Sequence, residues 1–139
     1  MTNSNRKGKT GERDLAEKLR AYGYEARRGV QYSGLTGAAD VVGLPGVHIE
    51  VKRYKTITDS QLQEALRQAI RDARPGEVPA VFYREDRKKW RVYMLAVDFV
   101  LLAVSGPWLD FLPPSDKCRV DMSLGDFMEV YKAWKEAKK

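Results

Sequence analysis

Residues 39–53 decide the fold: Ala39-Asp40-Val41-Val42-Gly43-Leu44, then Pro45-Gly46, then Val47-His48-Ile49-Glu50-Val51-Lys52-Arg53. The first run reads as a short apolar strand with Asp40 near its start. Pro45-Gly46 is a turn signal. In the second run apolar and polar residues alternate, as in a strand. Val47, Ile49 and Val51 share one face; His48, Glu50 and Lys52 share the other. A hairpin of this kind sets two carboxylates and an ammonium side by side. Carboxylate oxygens suit a hard divalent cation such as Mg²⁺, which binds through one or two of them plus a substrate phosphate. Such an ion can stabilise the charge that develops in phosphate-ester hydrolysis and can make a water nucleophilic.

Upstream, a helix is expected from Thr10, with Leu15, Ala16, Leu19 and Tyr22 as its apolar stripe and Gly23 as its terminator. Glu12 lies three positions before Leu15 and seven before Leu19, so it shares that stripe, where a carboxylate is unexpected. Tyr24 to Arg28 reads as a strand, followed by a loop with Gly29, Ser33, Gly34 and Gly37. Downstream, Asp59 or Ser60 can cap a second helix running to Ala73, with Leu62, Ala65, Leu66, Ala69, Ile70 and Ala73 buried. Pro79 to Tyr83 and Arg91 to Ala96 read as two more strands around a charged turn, and Val97 to Val104 as a short helix. A proline-bearing loop, Gly106 to Cys118, leads to a last helix, with Leu124, Phe127, Met128, Tyr131 and Trp134 on one side and Ser123 with Asp126 as its capping box. The expected fold is α/β: a central mixed sheet of about five strands flanked by helices, with a C-terminal helix. The expected division is a flexible basic arm over 1–9, a core over 10–105, and a loop and helix over 106–139 that packs on the core or at a dimer interface.

A Glu-x-Lys triplet by itself carries little weight, because about every second chain of this length has one by accident. Glu136-Ala137-Lys138 is such a case here, on the solvated side of the last helix. Glu50-Val51-Lys52 differs in context. It lies in an apolar, β-rich stretch, with Asp40 on the preceding strand and Glu12 on a helix that can pack over the sheet. Three carboxylates directed into one region repel one another and lose solvation unless a cation joins them.

The chain has 139 residues, a net charge of +6 and 43% hydrophobic content, enough for one domain with its own core. A basic balance points to nucleic acid or an anionic surface as partner. No apolar run approaches the roughly 20 residues of a membrane span. The polar N-terminus is unlike a secretory signal, so no membrane partner is expected and the expected location is the cytoplasm, or host cytoplasm if a phage encodes the chain. Cys118 is the only cysteine, which excludes an internal disulfide and a zinc-finger ligand set. It reads as a free thiol in a loop.

The stretch from Lys7 to Arg53 resembles the catalytic half of the archaeal-type Holliday-junction resolvases, a branch of the PD-(D/E)XK nuclease superfamily. The residues that carry the likeness are Lys7-Gly8, Gly11-Glu12-Arg13, Tyr22-Gly23-Tyr24, Arg27-Arg28, Ser33-Gly34, Ala39-Asp40 and Glu50-Val51-Lys52. Ala39 stands where that family usually has a proline. The second half, with Trp90 and the C-terminal helix, looks more like the compact bacteriophage members. The resemblance implies that Asp40 and Glu50 are metal ligands, with the Val51 backbone carbonyl a third and Glu12 a further one, directly or through water. It implies that Lys52 orients or deprotonates the attacking water, or neutralises charge in the transition state. The cofactor would be Mg²⁺, with Mn²⁺ able to substitute, and no nucleotide. In-line attack of water on a phosphodiester would leave a 5′-phosphate and a 3′-hydroxyl. Ser33 would assist from its loop. Among Gln61, Gln63 and Gln68 of the second helix, Gln68 is the candidate to reach over the site; a solvated face is the alternative.

Arg6, Lys7, Lys9, Arg13, Arg27, Arg28, Arg53 and Lys55 flank this site in sequence and, with Ser33 of the Gly/Ser loop, are the candidate DNA contacts, holding phosphates without reading bases. Arg84, Arg87, Lys88, Lys89 and Arg91 read instead as a solvated hairpin tip. His48, the only histidine, shares the Glu50 face, but at a strand start it reads as an edge residue in solvent. The expected function is metal-dependent endonucleolytic resolution of four-way DNA junctions, in recombination and repair, by a homodimer. Trp108, Leu109, Phe111 and Leu112, or the last helix, would form its interface. The same chemistry on flaps, nicks or duplex is one alternative. A non-catalytic architectural DNA-binding protein is another, weakened because carboxylates repel DNA unless a cation neutralises them.

Overall fold

Strand β3, Val47–Tyr54, is buried on both faces and organises the molecule. The computed structural model describes residues 2–29, 39–103 and 118–137, with side chains from residue 8 onward. The elements are α1 (Thr2–Ala21), β1 (Arg27–Arg28), β2 (Val41–Val42), β3, α2 (Asp59–Asp72), β4 (Val78–Glu85), β5 (Arg91–Leu95), α3 (Ala96–Ala103), β6 (Arg119–Ser123) and α4 (Leu124–Ala137). The strands form one sheet in the order β1-β2-β3-β4-β5-β6. Only β3 and β4 run parallel, because α2 carries the chain from the end of one to the start of the other.

The two faces of β3 meet different partners. Val47, Ile49 and Val51 join a core with Leu15, Ala16 and Leu19 of α1 and with Phe82, Val92, Met94, Phe127, Met128 and Tyr131. The opposite face lies under α2, whose Leu62, Ala65 and Leu66 pack with Val81, Tyr83 and Leu95. Glu50 and His48 therefore lie between sheet and helix. Gly11 lets α1 approach β3 closely, since a Cβ there would stand 2.7 Å from the Cβ of Arg53.

The expected α/β architecture is present, with differences of detail. Helix α1 begins at Thr2 rather than near Thr10, so the backbone of residues 2–9, expected as a flexible arm, continues the helix. A sixth strand, β6, pairs antiparallel with β5. Helix α4 turns Leu124, Phe127, Met128 and Tyr131 into its own core, which removes them as a dimer surface. Thr58 caps α2, not Asp59 or Ser60. Its Oγ1 accepts from the Gln61 amide at 3.2 Å while Gln61 Oε1 accepts from the Thr58 amide at 2.9 Å, a pairing worth about 1 kcal/mol. Tyr22 and Ile70, counted into apolar stripes, are 48% and 41% exposed. Ile70 lies eight residues past Leu62, about 80° around the helix, at the rim of the contact. Cys118 is a free, exposed thiol. Trp108, Leu109, Phe111 and Leu112 lie outside the described residues. Among the described residues, no helix is long and apolar enough to cross a membrane.

Candidate active site

Asp40 sits just before β2, where the hairpin ladder runs out. Its amide donates to the Ile49 carbonyl at 3.0 Å, and its own carbonyl accepts from Gly29 at 2.9 Å. With the backbone pinned on both sides, the carboxylate turns toward β3, and Oδ2 accepts from the Val51 amide at 2.8 Å. A residue's N–H and C=O project to the same edge of a strand. The Val51 carbonyl therefore faces the edge where Asp40 lies.

Glu50 projects to the α2 side and is only 3% exposed. Burial pushes its carboxyl up to about 8, and the neighbouring Asp40, close enough to share a hydrogen bond, adds to the rise. Lys52, two residues on along the same face, brings Nζ to 3.8 Å from Glu50 Oε1 and partly opposes that rise. Two clustered carboxylates facing one ammonium leave unmet negative charge. That set of oxygen donors fits a hard divalent cation, and the proton that Glu50 would otherwise retain is the physical sign of the fit.

Asp40, Glu50 and Lys52 are thus brought together as expected. Glu12 Oε2 accepts from Arg28 Nε at 2.8 Å, tying α1 to β1 beside the Asp40 strand. Gln68 lies half-buried on α2, one turn before Asp72 and on the same side. Gln61 serves the cap instead.

Of the expected DNA contacts, Lys9, Arg13, Arg27 and Lys55 are exposed. Arg28 is held by Glu12, and Arg53 by an ion pair with Asp86 and a bond to the Tyr54 carbonyl. Ser33 and the side chains of Arg6 and Lys7 lie outside what is described. In the hairpin clump, Arg84 pairs with Asp14 at 3.0 Å and Arg91 with Asp121 at 2.8 Å, while Arg87, Lys88 and Lys89 are exposed around the turn.

Sequence reasoning missed Asp72, the last residue of α2, whose charge also raises the Glu50 carboxyl. Its signal was available: Asp72 follows Ala65 by seven and Ala69 by three, the spacing that singled out Glu12. It also misjudged His48, which is 2% exposed rather than solvated, because α2 covers that face of β3.

The family model described as "Phage putative PDDEXK endonuclease" matches residues 3–109. Among solved structures, the chain is similar to Hjc of Archaeoglobus fulgidus, a Holliday junction resolvase from an archaeal hyperthermophile. The two are 22% identical over 89% of this chain and 91% of that one, with a TM-score of 0.43. No curated protein matches.

Proposed function

The chain belongs to the phage PDDEXK endonuclease family, and from that premise we propose that it is a structure-selective DNA endonuclease that resolves four-way junctions by symmetric hydrolysis. The observation that carries the reading is the meeting of Asp40, Glu50 and Lys52 on one ledge of β3, with the Asp40 carboxylate fixed by the Val51 amide.

Nucleases of this superfamily generally depend on a divalent metal. Asp40, Glu50 and the Val51 carbonyl would hold it, Mg²⁺ by preference and Mn²⁺ as a substitute. When bound, the cation stabilises charge developing on the scissile phosphate and lowers the pKa of a water. The protein's own groups supply the rest. Glu50, buried against α2, gives a rigid anchor, and its neighbour Asp40 cannot swing away while Val51 holds it. Lys52 is about one-quarter exposed, at the open side of the ledge. Its ammonium orients the attacking water or offsets charge in the transition state. Glu12 acts through Arg28, holding that guanidinium beside the Asp40 strand. The exposed Lys9, Arg13, Arg27 and Lys55 bind phosphates without reading bases.

A junction has two symmetry-related strands to cut, so a two-fold homodimer with two identical sites suits it. The test is to incubate labelled four-way junction, flap, nicked and linear duplex with the protein in Mg²⁺ or EDTA. Paired symmetric cuts in the junction, dependent on Mg²⁺ and absent in Asp40→Asn, support the reading. Equal cutting of duplex would leave a general nuclease. Binding without cleavage would leave an architectural protein.

A further inference from the structure

His48, Glu50 and Asp72 form a second constellation on the α2 side of β3. His48 and Glu50 are alternate residues of one strand and share its face. Asp72, half-buried, closes the C-terminal end of α2 above them. One donor atom from each of the three lies within 4.8 Å of the others. The histidine supplies the independent observation. It is 2% exposed, yet its Nε2 has no hydrogen-bond partner among the described residues. A buried polar atom left unsatisfied is destabilising and rare in native proteins. Its other nitrogen, Nδ1, stands 3.9 Å from Glu77 Oε1. That carboxylate is within ion-pair range but beyond hydrogen-bond reach, and its Oε1 accepts from the Arg74 amide at 2.8 Å.

We propose that His48, Glu50 and Asp72 form a second divalent-cation site, distinct from the Asp40 side of Glu50, that favours Mn²⁺, Zn²⁺ or Co²⁺ over Mg²⁺. The preference follows from the ligands. Imidazole suits transition metals, whereas Mg²⁺ prefers oxygen and retains its waters. Two donors about 2.1 Å from a metal are at most about 4.2 Å apart, so a small inward rotation of the half-buried Asp72 completes the set. The bound ion would clamp the end of α2 to the middle of β3. Because Glu50 serves both sites, occupancy of one alters the anchor of the other. The inference goes beyond the cleavage reading and shares only Glu50 with it.

The test reads metal binding, not cleavage. Full-length protein stripped with EDTA is titrated with Mn²⁺, and stoichiometry is followed by calorimetry and by the signal of free Mn²⁺. Pulsed electron paramagnetic resonance then reports whether a nitrogen coordinates the bound ion. Wild-type protein should take two equivalents, one with nitrogen coupling. Asp72→Asn, which keeps the shape of a half-buried residue, should weaken that nitrogen-coupled equivalent at least tenfold. His48→Leu should abolish the coupling, with circular dichroism confirming the fold. Asp40→Asn should remove only the other equivalent, and Glu50→Gln should weaken both. A nitrogen-free spectrum in wild-type protein, or a second equivalent untouched by Asp72→Asn, would overturn the site. Loss of binding in Asp40→Asn alone would refute it and leave the cleavage reading standing. Loss in Asp72→Asn and His48→Leu but not in Asp40→Asn would do the reverse.

Discussion

The Asp40 carboxylate is bonded to the backbone of the strand that carries Glu50: Oδ2 accepts from the Val51 amide at 2.8 Å. This bond occupies an amide that β2 does not reach, since β2 pairs with β3 through Val41 opposite Ile49. It therefore satisfies the backbone and holds the Asp40 carboxylate beside the residue that follows Glu50. Asp40→Asn retains a side-chain oxygen able to accept from Val51 but removes the charge. The variant should fold, with a Tm near that of the wild type, while cleavage falls about a thousandfold, as expected when several kcal/mol of transition-state stabilisation go. Single-turnover rates on a labelled junction measure this. Full activity in Asp40→Asn would dissolve the site as drawn.

Glu50 makes the stability of the metal-free protein depend on pH. Its carboxyl rises from 4.5 to about 8 on folding, through burial first and then through Asp40, with Asp72 adding and Lys52 opposing. Between those values the folded chain holds a proton that the unfolded chain has released. Stability must then fall as pH rises across that window, and the contribution is complete below the unfolded value. A divalent cation reverses the sign, because it binds the ionised carboxylates. Melting curves in EDTA should drop from about pH 5 to about pH 8, and saturating Mg²⁺ should raise Tm most at the alkaline end. A flat Tm in EDTA would mean that Glu50 is ionised without the metal.

Lys52 and Glu12 should separate as functional and structural groups. Lys52→Ala removes an ammonium 3.8 Å from Glu50 on a partly open ledge. It should lower the cleavage rate about 10²–10³-fold with little change in Tm. Glu12 is committed to Arg28. A double-mutant cycle with Glu12→Gln and Arg28→Gln should show a coupling of about 0.5–1 kcal/mol in stability, the range for a partly exposed pair. Coupling near zero, with a lost rate in Glu12→Gln alone, would return Glu12 to the metal.

The hairpin chemistry was legible because it is local. A two-residue period and a Pro-Gly turn are enough to set Asp40, Glu50 and Lys52 on one ledge. What escaped depends on distant packing. Strand β6, Arg119–Ser123, is an edge strand with two apolar residues, and its partner β5 precedes it by more than twenty positions, so no local pattern announces it. His48 looked like an edge residue because nothing near it in sequence says that α2 will cover its face. Glu12 was correctly placed on the core-facing side of α1, but its partner, Arg28, lies sixteen residues away on another element. The Thr58 cap was missed in favour of neighbours of the same chemical type.

Gly11 sets the height of α1 above the sheet. A methyl group there would meet the Cβ of Arg53 at 2.7 Å, and that atom is fixed to the strand rather than at the end of a flexible chain. Gly11→Ala should therefore gain helix propensity yet lose more through displacement of α1, a net cost of about 1–3 kcal/mol. Chemical denaturation would show it as a lower midpoint at unchanged slope. A stabilised Gly11→Ala would mean that α1 shifts freely over β3.

The basic residues divide by whether the fold already uses them, and this predicts which ones DNA will feel. Lys9, Arg13, Arg27 and Lys55 are exposed, so their charges are available to phosphate. Arg53 is not free in this sense: it bonds Asp86 and the Tyr54 carbonyl while lying against α1 at Gly11. Each phosphate contact releases condensed counterions, so its loss lowers the slope of log affinity against log salt by about one. Neutralising Arg13 or Lys55 with glutamine should each reduce that slope by about one and leave stability within about 0.5 kcal/mol of the wild type. Arg53→Met should do the opposite. It should cost about 1 kcal/mol of stability by removing a half-buried charge-assisted bond, while the salt slope stays near the wild-type value. Fluorescence anisotropy on a labelled junction, repeated over a range of salt, gives the slopes, and thermal melts give the stabilities. An unchanged slope in Arg13→Gln and Lys55→Gln, with a reduced one in Arg53→Met, would place the DNA on the Arg53 side of the molecule and require Asp86 to release its partner on binding.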